Sequence, residues 1–437
     1  MLLNAADKAL WRLALPMIFS NITVPLLGLV DTAVIGHLDS PVYLGGVAVG
    51  ATATSFLFML LLFLRMSTTG LTAQAWGAKD PQRLARALVQ PLALALGAGV
   101  LIILLRLPLI DLALHIVGGS EAVLEQARRF LEIRWLSAPA SLANLVLLGW
   151  LLGVQYARAP VILLVVGNLL NIVLDLWLVM GLRMNVQGAA LATVTAEYAT
   201  LIIGLLMAKR VLTLRGVSLA MLKDAWRGDL RRLLALNRDI MLRSLLLQLC
   251  FGALTVFGAR LGSDIVAVNA VLMTMLTFTA YALDGFAYAV EAHSGQAYGA
   301  RDGSQLLEVW RAACRQSGMV ALAFALIYSL AGQYIIALLT SLPSLQQLAD
   351  RYLIWQTILP VVGVWCYLLD GMFIGATRGA EMRNSMAVAR GGVCRDAAYA
   401  TGAWQPWSVA GAGGVPRPAR PVAGADLASS LATRHMV

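Results

Sequence analysis

Ten apolar stretches, each near or above the roughly 20 residues a helix needs to cross a bilayer, restrict what this chain can fold into. They run over 9–36, 43–70, 87–106, 130–153, 161–182 and 187–208, then over 241–261, 265–292, 314–340 and 352–375. Only 13% of the 437 residues are charged, where soluble chains carry roughly 25%. The pattern predicts an all-α polytopic membrane protein. The alternating ten-residue segments of a membrane β-barrel are absent. The first stretch lacks the short apolar region and cleavage site of a signal peptide, so it reads as an uncleaved span.

The net charge of +10 does not point to nucleic acid, because no basic motif or patch accompanies it. Lys and Arg gather in short loops: Lys79, Arg83 and Arg86, then Arg158, then Arg301 and Arg311, then Arg378 and Arg383. Such loops are cytoplasmic by the positive-inside rule, which also places the N-terminus in the cytoplasm. Arg128, Arg129 and Arg134 fall on the opposite side and are expected to snorkel to the interface. Residues 209–240 read as a basic amphipathic linker on the membrane surface.

The heptapeptide "QAWGAKD" at 74–80 returns as "QAYGARD" at 296–302. The offset of 222 also carries Arg129, Phe130 and Leu131 onto Arg351, Tyr352 and Leu353, and Gly149 and Gly153 onto Gly371 and Gly375. One offset shared by three blocks marks a duplicated six-span unit. Six is even, so the halves enter from the same side and form two parallel bundles, an arrangement suited to alternating access. The units expected are 1–208, the linker 209–240, and 241–389. The heptapeptide is expected to cap and orient two helices at a cytoplasmic turn. It lacks the spacing of a phosphate loop.

The duplication predicts spans eleven and twelve near 383–404 and 409–430. Instead, 390–437 is rich in Ala, Gly, Pro and Arg, and Arg395 and Asp396 would lie inside a span, where each costs at least about 2.5 kcal/mol. We expect a reading-frame error. Permissible codons for "GVCRDAA", shifted by one base, read Phe-Ala-Val-Thr-Leu. The alternative is a genuine disordered tail, which would leave the chain truncated by two spans and inactive.

Six carboxylates fall within spans: Asp31, Asp175, Glu197, Asp284, Glu291 and Asp370. Intramembrane ionisable groups are functional candidates. Asp31 and Asp175 lie at similar depth, with Asn171 one turn from Asp175, Thr193 at similar depth on span six, and Asn144 facing them from span four. This oxygen-rich set suits a proton or Na⁺, since apolar surroundings let a carboxyl hold its proton more readily than water does. Asp284 and Asp370 are secondary candidates, while Glu197 and Glu291 are expected nearer the cytoplasmic ends or facing a loop. Pro16 and Pro25 would kink span one and so move Asp31. No catalytic motif is present. The four Cys and four His form no metal cluster, so neither an enzyme nor a cofactor is expected.

"LALPMIFSNITVPLLGLVDTAVIGHL", "GNLLNIVLDLWLV", "VQGAALATV" and the paired heptapeptides resemble the multidrug and toxic compound extrusion (MATE) transporters over about residues 5–388. The resemblance implies twelve spans and extrusion of cationic or amphipathic small molecules against H⁺ or Na⁺, by a monomer in the bacterial inner membrane. It also implies a cation site at Asp31, Asn171, Asp175 and Thr193, with Asn144 as a polar neighbour. A flippase for lipid-linked precursors is the alternative on this scaffold. It would need a cluster of basic residues in the central cavity, and no such cluster is expected inside the spans.

Overall fold

The computed structural model describes residues 5–228, 230–261 and 263–400, and every regular element among them is helical. The first half comprises α1 (Ala5–Gly36), α2 (Pro41–Leu60), α3 (Phe63–Gly77), α4 (Pro81–Leu104), α5 (Arg106–Val117), α6 (Glu121–Arg134), α7 (Ala138–Gly153), α8 (Arg158–Asp175) and α9 (Asn185–Leu214). A short α10 (Leu219–Asp224) leads to α11 (Leu230–Leu261), α12 (Ser263–Gly299), α13 (Gly303–Leu339), α14 (Pro343–Gly375) and α15 (Gly379–Ala400). Eight stretches among the described residues are long and apolar enough to cross a membrane. The first and seventh apolar runs lie on α1 and α11.

Two details differ from the sequence expectation. The linker is only partly separate: α9 continues to Leu214 and α11 starts at Leu230. Arg231, Arg232 and Arg238 therefore ride on the helix that becomes span seven. The eleventh stretch is helical through Ala400, although Arg383, Arg390, Arg395 and Asp396 make it polar. The expected twelfth span, near 409–430, lies outside the described residues.

The duplication is visible contact by contact. Asp80 and Asp302 each accept hydrogen bonds from the first backbone N–H groups of the next helix, at Gln82 and Arg83 and at Ser304 and Gln305. This is the capping role expected of the heptapeptide. Lys79 (φ 53°) and Arg301 (φ 54°) are both left-handed, as are Gln155 (φ 61°) and Thr377 (φ 56°), again 222 residues apart. Gly153 lies against Thr72 and Gly375 against Ser294, the same contact in each half.

The heptapeptides also meet each other. A Cβ on Gly77 would lie 1.9 Å from the carbonyl O of Gln296, and one on Gly299 would lie 2.1 Å from that of Gln74. Only a missing side chain allows backbones this close. Around this junction Gln74 Nε2 donates to Gly375 O (3.0 Å) and Thr377 Oγ1 (3.1 Å), and Gln155 Nε2 donates to Gln296 Oε1 (2.6 Å). The sequence revealed the caps but not that the two turns form the seam between bundles.

Helix α1 belongs to both bundles. Leu10, Leu13 and Met17 pack with Phe286 and Val290 of α12 and Leu368 of α14. Val34 and Ile35 pack with Val186 and Ala190 of α9. Pro16 lies on the part packed against the second bundle. Ser20 Oγ donates to Pro16 O at 2.7 Å, and α1 remains one helix through this point.

Candidate functional site

The first bundle places Asp31 on α1 beside Asp175, the last residue of α8, with the two carboxyls within hydrogen-bonding reach of each other. Helix α8 is followed at once by a π-helical turn, Leu176–Gly181. Such turns concentrate at functional sites, and no sequence signal announced this one. Asn171, one turn before Asp175, donates through Nδ2 to Thr193 Oγ1 on α9 at 3.3 Å. Asp175 is 2% exposed and Asn171 5% exposed. The Oδ1 atoms of Asp31, Asn171 and Asp175 are all buried, and none receives a hydrogen bond. Buried acceptors are nearly always satisfied, so three orphan oxygens on facing residues make this a cluster of unpaired acceptors.

Asn144 joins a neighbouring set instead. Its Nδ2 donates to the backbone O of Glu197 at 3.1 Å, and Ser141 Oγ donates to Glu197 Oε2 at 2.7 Å. Arg134 completes that set, 3.5 Å from Glu197, with its guanidinium 5.3 Å from the Phe58 ring centre. Arg134 also lies close enough to act on Asp31 electrostatically. Arg134 therefore does not snorkel: an inward carboxylate partner outweighs the pull of the interface. Arg128 and Arg129 behave as surface residues, pairing with Asp111 and Glu125.

Asp284 and Asp370 belong to a second charged group. Arg65 of α3 makes a two-pronged bond to Glu291 of α12, at 3.0 and 3.4 Å, with both side chains 2% exposed. The Arg65 guanidinium stacks 4.3 Å over the Tyr288 ring. Arg243 of α11 pairs with Asp370 of α14, and Asp284 lies within the field of both arginines. One expectation is corrected. Glu291 does not face a loop, since burial beside Arg65 fixes it inside. Basic residues within the spans include Arg65, Arg134 and Arg243, each paired with a different carboxylate. A lone Arg in "LLLFLRMSTTG" was the available signal. Its partner lies 226 residues away, where no local pattern reaches.

The MatE family model matches residues 16–177 and 240–388. DNA damage-inducible protein F of Escherichia coli K12 is 87% identical over 390 residues, covering 89% of this chain and 85% of that protein. The chloroplastic Protein DETOXIFICATION 45 of Arabidopsis thaliana is 25% identical over 407 residues, 88% of this chain and 71% of that one. Among solved structures, an outward-facing multidrug resistance MATE transporter of the MOP superfamily superposes with a TM-score of 0.82 at 21% identity, over 99% of this chain and 93% of that one. Two parallel bundles, a seam built from a duplicated turn and a matched family model over both halves lead to one conclusion: this chain belongs to the MatE family of multi-pass membrane transporters.

Proposed function

We propose that this chain exports cationic or amphipathic toxic compounds across the bacterial inner membrane in exchange for H⁺, with Na⁺ as the alternative coupling ion. The orphan oxygens of Asp31, Asn171 and Asp175 carry this reading. A cationic compound and a proton compete for such acceptors, and exchange requires each to bind the two bundle arrangements with different affinity. Asp31 and Asp175 take up the coupling ion. Thr193 and Asn171 hold the frame around it, and Na⁺ would draw on the same oxygen donors. Asp31 lies on α1, which packs on both bundles, so neutralising it alters a helix that both share. Pro16 gives that helix a point at which to bend.

The flippase reading is weaker. Each buried arginine named above sits against a carboxylate, which leaves little positive charge for a phosphorylated headgroup. The two readings part in everted inner-membrane vesicles. Acidification of the lumen should drive ethidium into them when they carry this chain, and Asp31→Asn should abolish that uptake at equal protein level. Uptake indifferent to pH and Na⁺ gradients would count against exchange altogether.

A further inference from the structure

We infer that Arg134 is the resident counter-charge of the Asp31–Asp175 pair, and that its partial tie to Glu197 sets the pH at which the pair gives up its proton. This role presupposes the proton exchange proposed above and adds a positioning residue to it.

Arg134 is the last residue of α6, where the negative end of the helix dipole favours a cation. A guanidinium stays charged throughout the physiological range, so a buried one must be balanced. The Arg134 side chain is only 12% exposed. Its Nη1 donates to Ser137 Oγ in the short turn that follows α6. Its Nη2 lies 3.5 Å from Glu197 Oε1 on α9, whereas a tight charged bond measures about 2.7–2.9 Å. Arg65 is the contrast, with two prongs on one carboxylate at 3.0 and 3.4 Å. Arg134 is therefore matched to Glu197 only in part, and the rest of its field falls on Asp31.

Glu197 is fixed independently. Ser141 Oγ donates to its other oxygen, Oε2, at 2.7 Å, and Asn144 Nδ2 holds its backbone O at 3.1 Å. The charged neighbours are few. Asp175 of α8 and Arg134 of α6 act on Asp31 of α1, and Glu197 of α9 and Asp31 act on Arg134. Among the described residues no other charged side chain acts on either. From α2 and α7 this group meets Phe58, Ser141 and Asn144, which do not titrate. Tyr198, beside Glu197, spends its hydroxyl on Leu136 O at 2.8 Å.

Two carboxyls within hydrogen-bonding reach share a proton, because two bare carboxylates repel. A nearby positive charge favours loss of that proton, and a nearby negative charge favours keeping it. Arg134 thus biases the pair toward release, and Glu197 screens Arg134. Removing one or the other should move the pair in opposite directions. A residue that only braced α6 against α9 would shift neither.

Ethidium binding to the purified full chain, followed by fluorescence across a pH titration without Na⁺, tests this. In the parent, binding should weaken as pH falls and the pair takes up its proton. Arg134→Gln should move that midpoint up by about one pH unit, and Glu197→Gln should move it down by about as much. Arg134→Lys keeps the charge and should titrate close to the parent. Melting in detergent reads folding separately. Folded variants that titrate at the parent's midpoint, or that shift with the same sign, overturn the assignment. If Arg134→Gln does not fold, Glu197→Gln decides: a downward shift supports the counter-charge, and an unmoved or raised midpoint refutes it. A parent whose binding ignores pH overturns the proton exchange itself, and this role with it.

Discussion

Replacing Gly77 with alanine tests whether the duplicated turns form the seam that must open and close. The new methyl would lie 1.9 Å from the Gln296 carbonyl O. An ordinary C···O contact is about 3.3 Å, so the backbones must part locally by about 1.4 Å. Overfilling a close-packed contact costs about 1–3 kcal/mol. The clash exists only while the bundles touch, so parting them relieves it without unfolding either one. Gly77→Ala should therefore shift the balance away from the closed seam by about 5- to 150-fold. Gly97→Ala is the control: it is also within a helix, yet nothing lies within 4 Å of its Cβ. It should be neutral or gain up to about 1 kcal/mol of helix stability. Dibromobimane cross-linking of Gln155→Cys with Gln296→Cys reports closure, since those side chains touch at 2.6 Å. The expected result is a fall in cross-linking and in dye export for Gly77→Ala, with an unchanged or slightly raised melting temperature for Gly97→Ala. If Gly77→Ala links and pumps like the parent chain, the seam is not where the bundles separate.

Other outcomes follow from the buried charges and the caps. Glu291→Gln leaves Arg65 buried without its partner and should cost about 3–5 kcal/mol, read as a lower melting temperature in detergent. The double variant Arg65→Met/Glu291→Leu should recover most of that loss, whereas additive losses would argue against a coupled pair. Thr193→Val keeps volume but removes the hydroxyl bonded to Asn171, so export should weaken several-fold with membrane level unchanged. At the exposed end of α13, bonds from the Ser304 hydroxyl and from the Gln305 and Ser304 backbone amides hold the Asp302 carboxyl below its usual range. Its capping contribution is thus fully present near neutral pH and is lost only as pH falls through that depressed value. Asp302→Ala should fray the helix start at neutral pH, seen as faster amide exchange there.

Much of the architecture is legible in the sequence because apolar length and a fixed repeat offset are local or one-dimensional signals. The ten apolar runs and the meeting of Asp31, Asp175, Asn171 and Thr193 are of this kind, since depth along a helix follows from counting residues. Contacts between the halves are not. Arg65 finds Glu291, and Gly77 finds Gln296, only after both bundles have folded and docked. Asn144 was legible as an inward polar residue, but which neighbour it met depended on a backbone oxygen of α9. The π-helical turn after Asp175 has no compositional mark. Leu176–Gly181 reads simply as more apolar span.

In the proposed exchange the Asp31–Asp175 pair gives up its ion when the exported compound binds. Proton release by the purified protein in weakly buffered detergent solution, on addition of ethidium without Na⁺, tests it most directly. About one proton should be released per dye bound, by reciprocal linkage of the two ligands, and none from Asp31→Asn or Asp175→Asn. If Na⁺ is the coupling ion, release is absent and saturating Na⁺ instead weakens dye binding to the parent chain alone. Dye binding that releases no proton, ignores Na⁺ and is the same in both variants would contradict the account.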